Sequence, residues 1–372
     1  NTTGFFPGQS IPSINVLSPP NKYLRWEKTS TSNIGFDFGV LNGRVNVSFD
    51  AYSRLSQDLI NSKQIPHENG FNYVNLNWAE VSNKGWEIFL STHNIKGKDF
   101  NWHTDFNISQ NTSKVNKINT PDNDWFPSRE GYPVNAVFGI KTAGLDEDGL
   151  MQFYNKEGDI VSMKEFYNLE VGMWGDVVTN HSVAEFRELF TYMGDMDPKF
   201  TGGFNNRFKY KNLDLSITTS FFLDRTVRVT PFYNPTQVDP GINYTTNMNN
   251  VWSEDNKSGT YPRILGRNTG NEMADIAYNW IDSYDPSRSF NYYDIWMKSL
   301  SYMRISNIRL GYTLGENILK SKHISSLRFN IEARNPFVFG SSYKGYFDPE
   351  TYGNIYSQPM PKTISFGINA TF

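Results

Sequence analysis

The stretch Thr363-Ile364-Ser365-Phe366-Gly367-Ile368-Asn369-Ala370-Thr371-Phe372 alternates polar or small residues with apolar ones up to its aromatic end. A period of two sorts side chains onto the two faces of a strand, here one greasy and one wet. A strand that finishes on an aromatic ring and a bare carboxylate reads as the closing strand of a barrel, which leaves no edge to fray.

The same alternation recurs upstream. Ile34, Phe36, Phe38 and Val40 share one face, and Val45, Val47, Phe49 and Ala51 share another, with the hairpin dipeptide Asn42-Gly43 between them. Trp86, Ile88 and Leu90 follow, then Phe100, Trp102, Phe106 and Ile108 interleaved with Asn101, His103, Asp105 and Asn107. Phe204, Phe208 and Tyr210 turn at Lys211-Asn212 into Leu213, Leu215, Ile217 and Phe221. Ile308, Leu310 and Tyr312 precede Leu327, Phe329, Ile331 and Ala333, which alternate with Arg328, Asn330, Glu332 and Arg334. Consecutive charged or amide positions make no sense in a dry core, where each unpaired charge costs several kcal/mol, and they suit a watery lumen. The reading is an all-β chain, a transmembrane antiparallel β-barrel of which roughly ten strands are in view.

Composition agrees with that class. No apolar run reaches the roughly 18 residues a helical span needs, and mean hydropathy is -0.55. That value does not exclude a barrel, because lipid-facing and lumen-facing residues average out along each strand. A net charge of -3 gives no electrostatic case for nucleic acid. Aromatic residues make up 16% of the chain, a supply that membrane girdles or a sugar-binding surface would use. Cysteine is absent, which rules out a disulfide scaffold or a zinc–thiolate site. The opening Asn1-Thr2-Thr3-Gly4-Phe5 has no basic and apolar export pattern, so the expectation is either that a signal has been removed or that the chain is the later part of a longer one.

Connections fall into two classes. Short turns at Asn42-Gly43, Ile95-Lys96-Gly97-Lys98, Lys211-Asn212 and 315–322 alternate with long excursions over about 56–82, 112–200, 222–298 and 335–362. Short periplasmic turns and long extracellular loops are the layout of an outer-membrane barrel. Val183, Phe186, Leu189 and Phe190 have helical spacing, so the second excursion is expected to carry a short helix within 182–193.

Several segments resemble the SusC/RagA-type TonB-dependent transporters of Bacteroidetes. They are Leu24-Arg25-Trp26-Glu27-Lys28-Thr29 with Asn33-Ile34-Gly35-Phe36-Asp37-Phe38-Gly39, Asn83-Lys84-Gly85-Trp86-Glu87, and Gly194-Asp195-Met196-Asp197-Pro198-Lys199-Phe200. Tyr302-Met303-Arg304-Ile305-Ser306-Asn307-Ile308, Arg334-Asn335-Pro336-Phe337, and Tyr343 through Asp348-Pro349-Glu350 continue the series in order. The resemblance implies a barrel of roughly 22 strands around an N-terminal plug, with residues 1–372 as the C-terminal part of that barrel. It implies a TonB-contacting segment and plug outside this chain, a SusD-like lipoprotein over the extracellular mouth, and a place in the Gram-negative outer membrane. Function would be active, TonB-dependent uptake of an oligosaccharide or an oligopeptide, with the loop aromatics leaning toward glycan. The implied partners are the SusD-like lipoprotein, the remaining barrel and plug, TonB acting through the plug, and the lipid bilayer. The alternative is a passive porin or structural barrel without energy coupling.

No enzyme is expected: the five histidines show no HExxH spacing, and no serine sits in a GxSxG elbow. Trp125, Trp174, Trp252, Trp280 and Tyr292, all in the long excursions, are the candidate substrate contacts, since flat rings with polar edges stack on sugars or pack on peptides. For each ring, loop packing or contact with a partner protein is the favoured alternative. Asp146, Asp148 and Asp159, with Glu157, are the candidate metal ligands, hard oxygens that a structural Ca²⁺ in an extracellular loop would take. No other cofactor is expected. Arg328, Glu332 and Arg334 on the wet faces are expected to hold the plug or to touch cargo in transit.

Overall fold

The computed structural model describes residues 2–6, 9–13, 19–283, 289–314, 324–340, 348–351, 358 and 360–372, with no account of the side chains of residues 2–13, His67 and Ser283. The expected turn at 315–322, Tyr284, His323 and the motif residues 343–347 lie outside these. In chain order the strands are β1 (Thr2–Phe6), β2 (Gln9–Ser13), β3 (Lys28–Val40), β4 (Val45–Gln64), β5 (Tyr73–Lys96), β6 (Phe100–Lys117), β7 (Ala136–Ile140), β8 (Thr142–Leu145) and β9 (Met151–Tyr154). They continue as β10 (Ile160–Val161), β11 (Leu169–Val171), β12 (Val177–Thr179), β13 (Phe190–Asp195), β14 (Phe200–Tyr210), β15 (Leu213–Arg228), β16 (Met297–Leu314), β17 (Ser326–Phe339) and β18 (Thr363–Thr371). The helices are α1 (Met163–Phe166), α2 (Val183–Arg187) and α3 (Glu272–Ser283).

Nine strands form one sheet in the order β18-β17-β16-β15-β14-β6-β5-β4-β3, so sheet neighbours are chain neighbours except where β6 meets β14. The turns are built as their residues dictate. Leu41, Asn42 and Gly43 all take positive φ, as does Lys211, which is how a tight hairpin matches the twist of its strands.

Register shows why alternation was so legible. Trp102, Phe208, Leu215, Leu310, Ile331 and Phe366 stand opposite one another in a row across six strands. One residue along, His103, Arg207, Ser216, Arg309, Glu332 and Ser365 form the next row, on the other face. The greasy row is not covered: Ile331 is 44% exposed and Phe366 77%. Among the described residues no second sheet or helical layer packs on Ile364, Phe366 and Ile368, as a soluble sandwich would require.

The wet face satisfies its own charges. Arg328 reaches Asp214 through both terminal guanidinium nitrogens at 2.7 Å and donates to Thr313 Oγ1 at 3.1 Å. Asp105 accepts from Arg207 at 2.6 Å and Ser91 at 2.9 Å, and pairs with His103 at 2.8 Å. Glu332 accepts from Arg334 at 2.6 Å and Asn307 at 2.9 Å. These pairs fix the strands side by side, so the expectation that they hold a plug or contact cargo meets residues already engaged with one another.

One expected loop is mostly strand. β4 continues to Gln64 and β5 starts at Tyr73, which reduces the excursion at 56–82 to residues 65–72. Backbone pairing persists there, but both faces carry mixed residues, and period two vanishes from a sequence once neither face is uniformly apolar.

By internal contacts the chain divides into two compact units, residues 1–33, 52–84 and 112–134, and residues 34–51, 85–111 and 135–372. In the first, Asn77 Nδ2 donates to the carbonyls of Arg25 at 2.8 Å and Asp58 at 2.6 Å, and the Arg25 side chain pairs with Asp58. The second holds the register rows just described and a domain folded from the two longest excursions.

Candidate functional site

That loop domain is built from small pieces. β7 pairs with β13, β9 with both β8 and β10, and β11 with β12, all antiparallel. Ser182 starts α2 with a capping box, accepting from the Glu185 backbone N–H while its own N–H donates to the Glu185 carboxylate at 2.8 Å. That bond lowers the pKa of Glu185, since it favours the ionised form. The expected helix is therefore present but only five residues long, because Phe190 enters β13.

Rings make the core. Phe153 stacks on Phe166 at 4.5 Å between centroids and meets Tyr167 at 5.4 Å and Tyr293 at 5.2 Å edge-on. Tyr167 contacts Trp280 at 5.3 Å, and Trp296 stacks on Tyr261 at 5.3 Å. Such pairs add about 0.5–1.5 kcal/mol each beyond area burial. Burial pushes the phenols of Tyr167 and Tyr293 above their ordinary pKa, which keeps this core uncharged.

Against this frame the candidate contacts separate. Trp280, on α3, is 2% exposed and Trp252 4%, so both are packing residues and neither ring is open to cargo. The guanidinium of Arg263 lies 5.1 Å from the Trp252 ring, and Gly149, at φ +74, presses so close that a Cβ would sit 2.3 Å from Cδ2. Tyr292 is half-buried, between Phe190 at 5.6 Å and the Arg228 guanidinium at 4.3 Å. Trp125 is half-buried in the other unit. Trp174 alone of the five stands free, 93% exposed beside Met173 at the tip of the β11–β12 hairpin, which closes through Gly172 N–H to Asp176 O at 2.8 Å.

The acidic candidates do not converge. Among the described residues no group of three or more His, Asp or Glu is placed to hold a metal ion. Asp146 Oδ1 instead accepts the backbone N–H of Asp148 at 3.0 Å and of Leu150 at 2.8 Å, shaping a turn. Asp148 Oδ2 accepts from Asn271 at 2.9 Å, and Asp159 closes a separate turn with Asn155.

A cavity of about 630 Å³ opens on the loop domain, with Glu157, one of the acids marked in the sequence, in its wall. Tyr154, Lys141, Lys156, Glu188 and His181 are among its walls. Lys156 and Glu188 pair across it at 2.5 Å, which raises the Lys156 pKa, and His181 Nε2 lies 3.0 Å from the Phe166 carbonyl oxygen. A mostly apolar concavity with Val161, Phe166 and Leu189 in its walls, a paired lysine and glutamate and a partly open phenol can bury one face of an oligomer while a few polar groups orient it. No local signal could have found it, since 32 residues separate Lys156 from Glu188.

Residues 3–138 match the family described as TonB dependent receptor-like, beta-barrel. TonB-dependent receptor P3 of Formosa agariphila is 26% identical over 98% of this chain and 36% of its own length. TonB-dependent receptor SusC of Bacteroides thetaiotaomicron is 27% identical over 93% of this chain and 32% of its own. The chain thus spans about a third of the length of these relatives. Among solved structures the RagAB peptide transporter superposes with a TM-score of 0.73 at 22% identity, over 99% of this chain and 38% of that one, which is a likeness of fold.

Proposed function

We propose that this chain belongs to the TonB-dependent receptor β-barrels of the SusC and RagA type, and that it forms wall and mouth of an outer-membrane importer. The cargo is an oligosaccharide or an oligopeptide, taken up with a SusD-like surface lipoprotein and released inward when TonB acts on a plug. The reading is carried by the opposed register rows, greasy and uncovered on one side, charged and internally paired on the other. Cargo would settle on the loop domain, at the cavity walled by Tyr154, Lys156, Glu188 and His181.

A charge on the greasy row tests the membrane placement. Ile331→Arg is expected to cost about 2–4 kcal/mol near the bilayer midplane and to deplete the folded protein from outer membranes. Asn330→Lys, one position along on the wet face beside Gly311 and Gly367, is expected to assemble normally. Equal tolerance of the two would remove the lipid-facing assignment.

Energy coupling is tested on the intact protein in cells. Uptake of labelled oligosaccharides and oligopeptides is expected to stop when TonB is deleted. Continued uptake would make the protein a passive porin instead.

A further inference from the structure

The β11–β12 hairpin lifts two apolar side chains into solvent on a fixed stem. Met173 is 91% and Trp174 93% exposed, with Val171 beside them at 50%. In the stem Leu169, Glu170 and Val171 pair with Thr179, Val178 and Val177, and Leu169 and Val177 are buried. Thr179 Oγ1 donates to the Tyr167 carbonyl at 2.6 Å, and the Gly175 N–H closes the tip on the Gly172 carbonyl at 3.0 Å. A tryptophan already held in place offers a large contact area at little ordering cost, and this residue is enriched where protein interfaces concentrate their energy.

Charge narrows what can meet it. No lysine or arginine occurs from Glu165 to Phe186, and the stretch from Lys141 to Phe190 holds ten acidic residues against four basic ones, in a chain whose net charge is only -3. Such a surface repels the anionic headgroups of a membrane. A second copy docking through the same patch would set acid against acid. The cavity takes no wall residue from 169–179, so the tip is no part of that pocket.

We propose that this tip anchors a partner protein, Trp174 entering an apolar pocket rimmed by lysine and arginine. The inference rests on the importer reading for the partner's identity, the SusD-like surface lipoprotein, and adds the place and the chemistry by which it is held. Complementary charge speeds the encounter of the two faces, and the buried ring sets how long they stay together.

Retention of the co-expressed lipoprotein by the full transporter in detergent tests it. Met173→Ala/Trp174→Ala is expected to shorten the lifetime of the complex by about tenfold or more, with thermal unfolding of the transporter alone unchanged. Trp174→Phe should keep most of that lifetime, and added salt should slow association of the wild type. A photo-crosslinking residue in place of Trp174 is expected to label a basic patch of the lipoprotein; label on cargo, on a second copy or on lipid instead overturns the proposal. Equal lifetimes for wild type and the double alanine variant overturn this anchor and leave the importer reading standing, whereas a wild type that retains no lipoprotein overturns both.

Discussion

Trp280→Ala is expected to melt the loop domain while the nine-stranded sheet stays folded. The ring is 2% exposed, and on α3 it lies among Ala274, Ala277 and Ile281, all buried, with Tyr167 at 5.3 Å on the far side. Removing a buried indole costs about 3–5 kcal/mol, through lost transfer energy and the cavity that remains. A domain made of two- to six-residue strands and three short helices has little else to oppose that loss. Limited proteolysis should therefore cut freely within residues 150–190 in the variant, and hydrogen exchange there should rise, with β14 to β17 still protected. Unchanged cleavage would mean that the indole is not a keystone of this core. Trp174→Ala is the matched control: at 93% exposure it should leave stability within about 0.5 kcal/mol, so any loss of cargo binding there reports contact rather than folding.

That contrast also marks what the sequence could tell. Period two located all nine long strands, because a membrane imposes one uniformly apolar face on each. The signal failed where the constraint lapsed, as in the continuation of β4 past Ser56, although the strand itself did not stop. Aromatic residues were ambiguous for a different reason. Trp280 and Trp174 are the same side chain in equally polar surroundings, and only the three- and four-residue spacing of Ala274, Ala277 and Ile281 could have marked the first as helical core. For Asp146 and Asp148 the local sequence fits a metal loop and a turn alike, and the turn uses the carboxylate on its own backbone. Pairs such as Lys156 with Glu188 depend on how two distant segments meet, which no periodicity encodes.

Arg304→Met is expected to release the segment around Asp348-Pro349-Glu350 from the sheet. Arg304 belongs to β16 and faces the wet side beside Ser220, yet its side chain is only 3% exposed. It donates from Nε to Glu350 at 2.5 Å and from Nη2 to Asp348, so one planar guanidinium holds two carboxylates. The turn presents them together: Asp348 also accepts the Glu350 N–H at 3.0 Å, and the Thr351 N–H returns to the Asp348 carbonyl at 2.9 Å. Both halves lie in segments by which the chain resembles the SusC/RagA-type transporters, Tyr302 to Ile308 and Asp348 to Glu350, and the ion triad gives those motifs a shared physical reason. Losing the arginine leaves two adjacent carboxylates unpaired, one of them 10% exposed, at a cost of about 3–5 kcal/mol. Arg304→Lys keeps the charge without the fork, so its loss should be intermediate. Arg304→Met/Asp348→Asn/Glu350→Gln should regain most of the stability, because no uncompensated charge remains. Hydrogen exchange at residues 348–351, with thermal unfolding in detergent, reads all three, and protection of those amides in Arg304→Met at the wild-type level would show that the turn holds itself without the arginine.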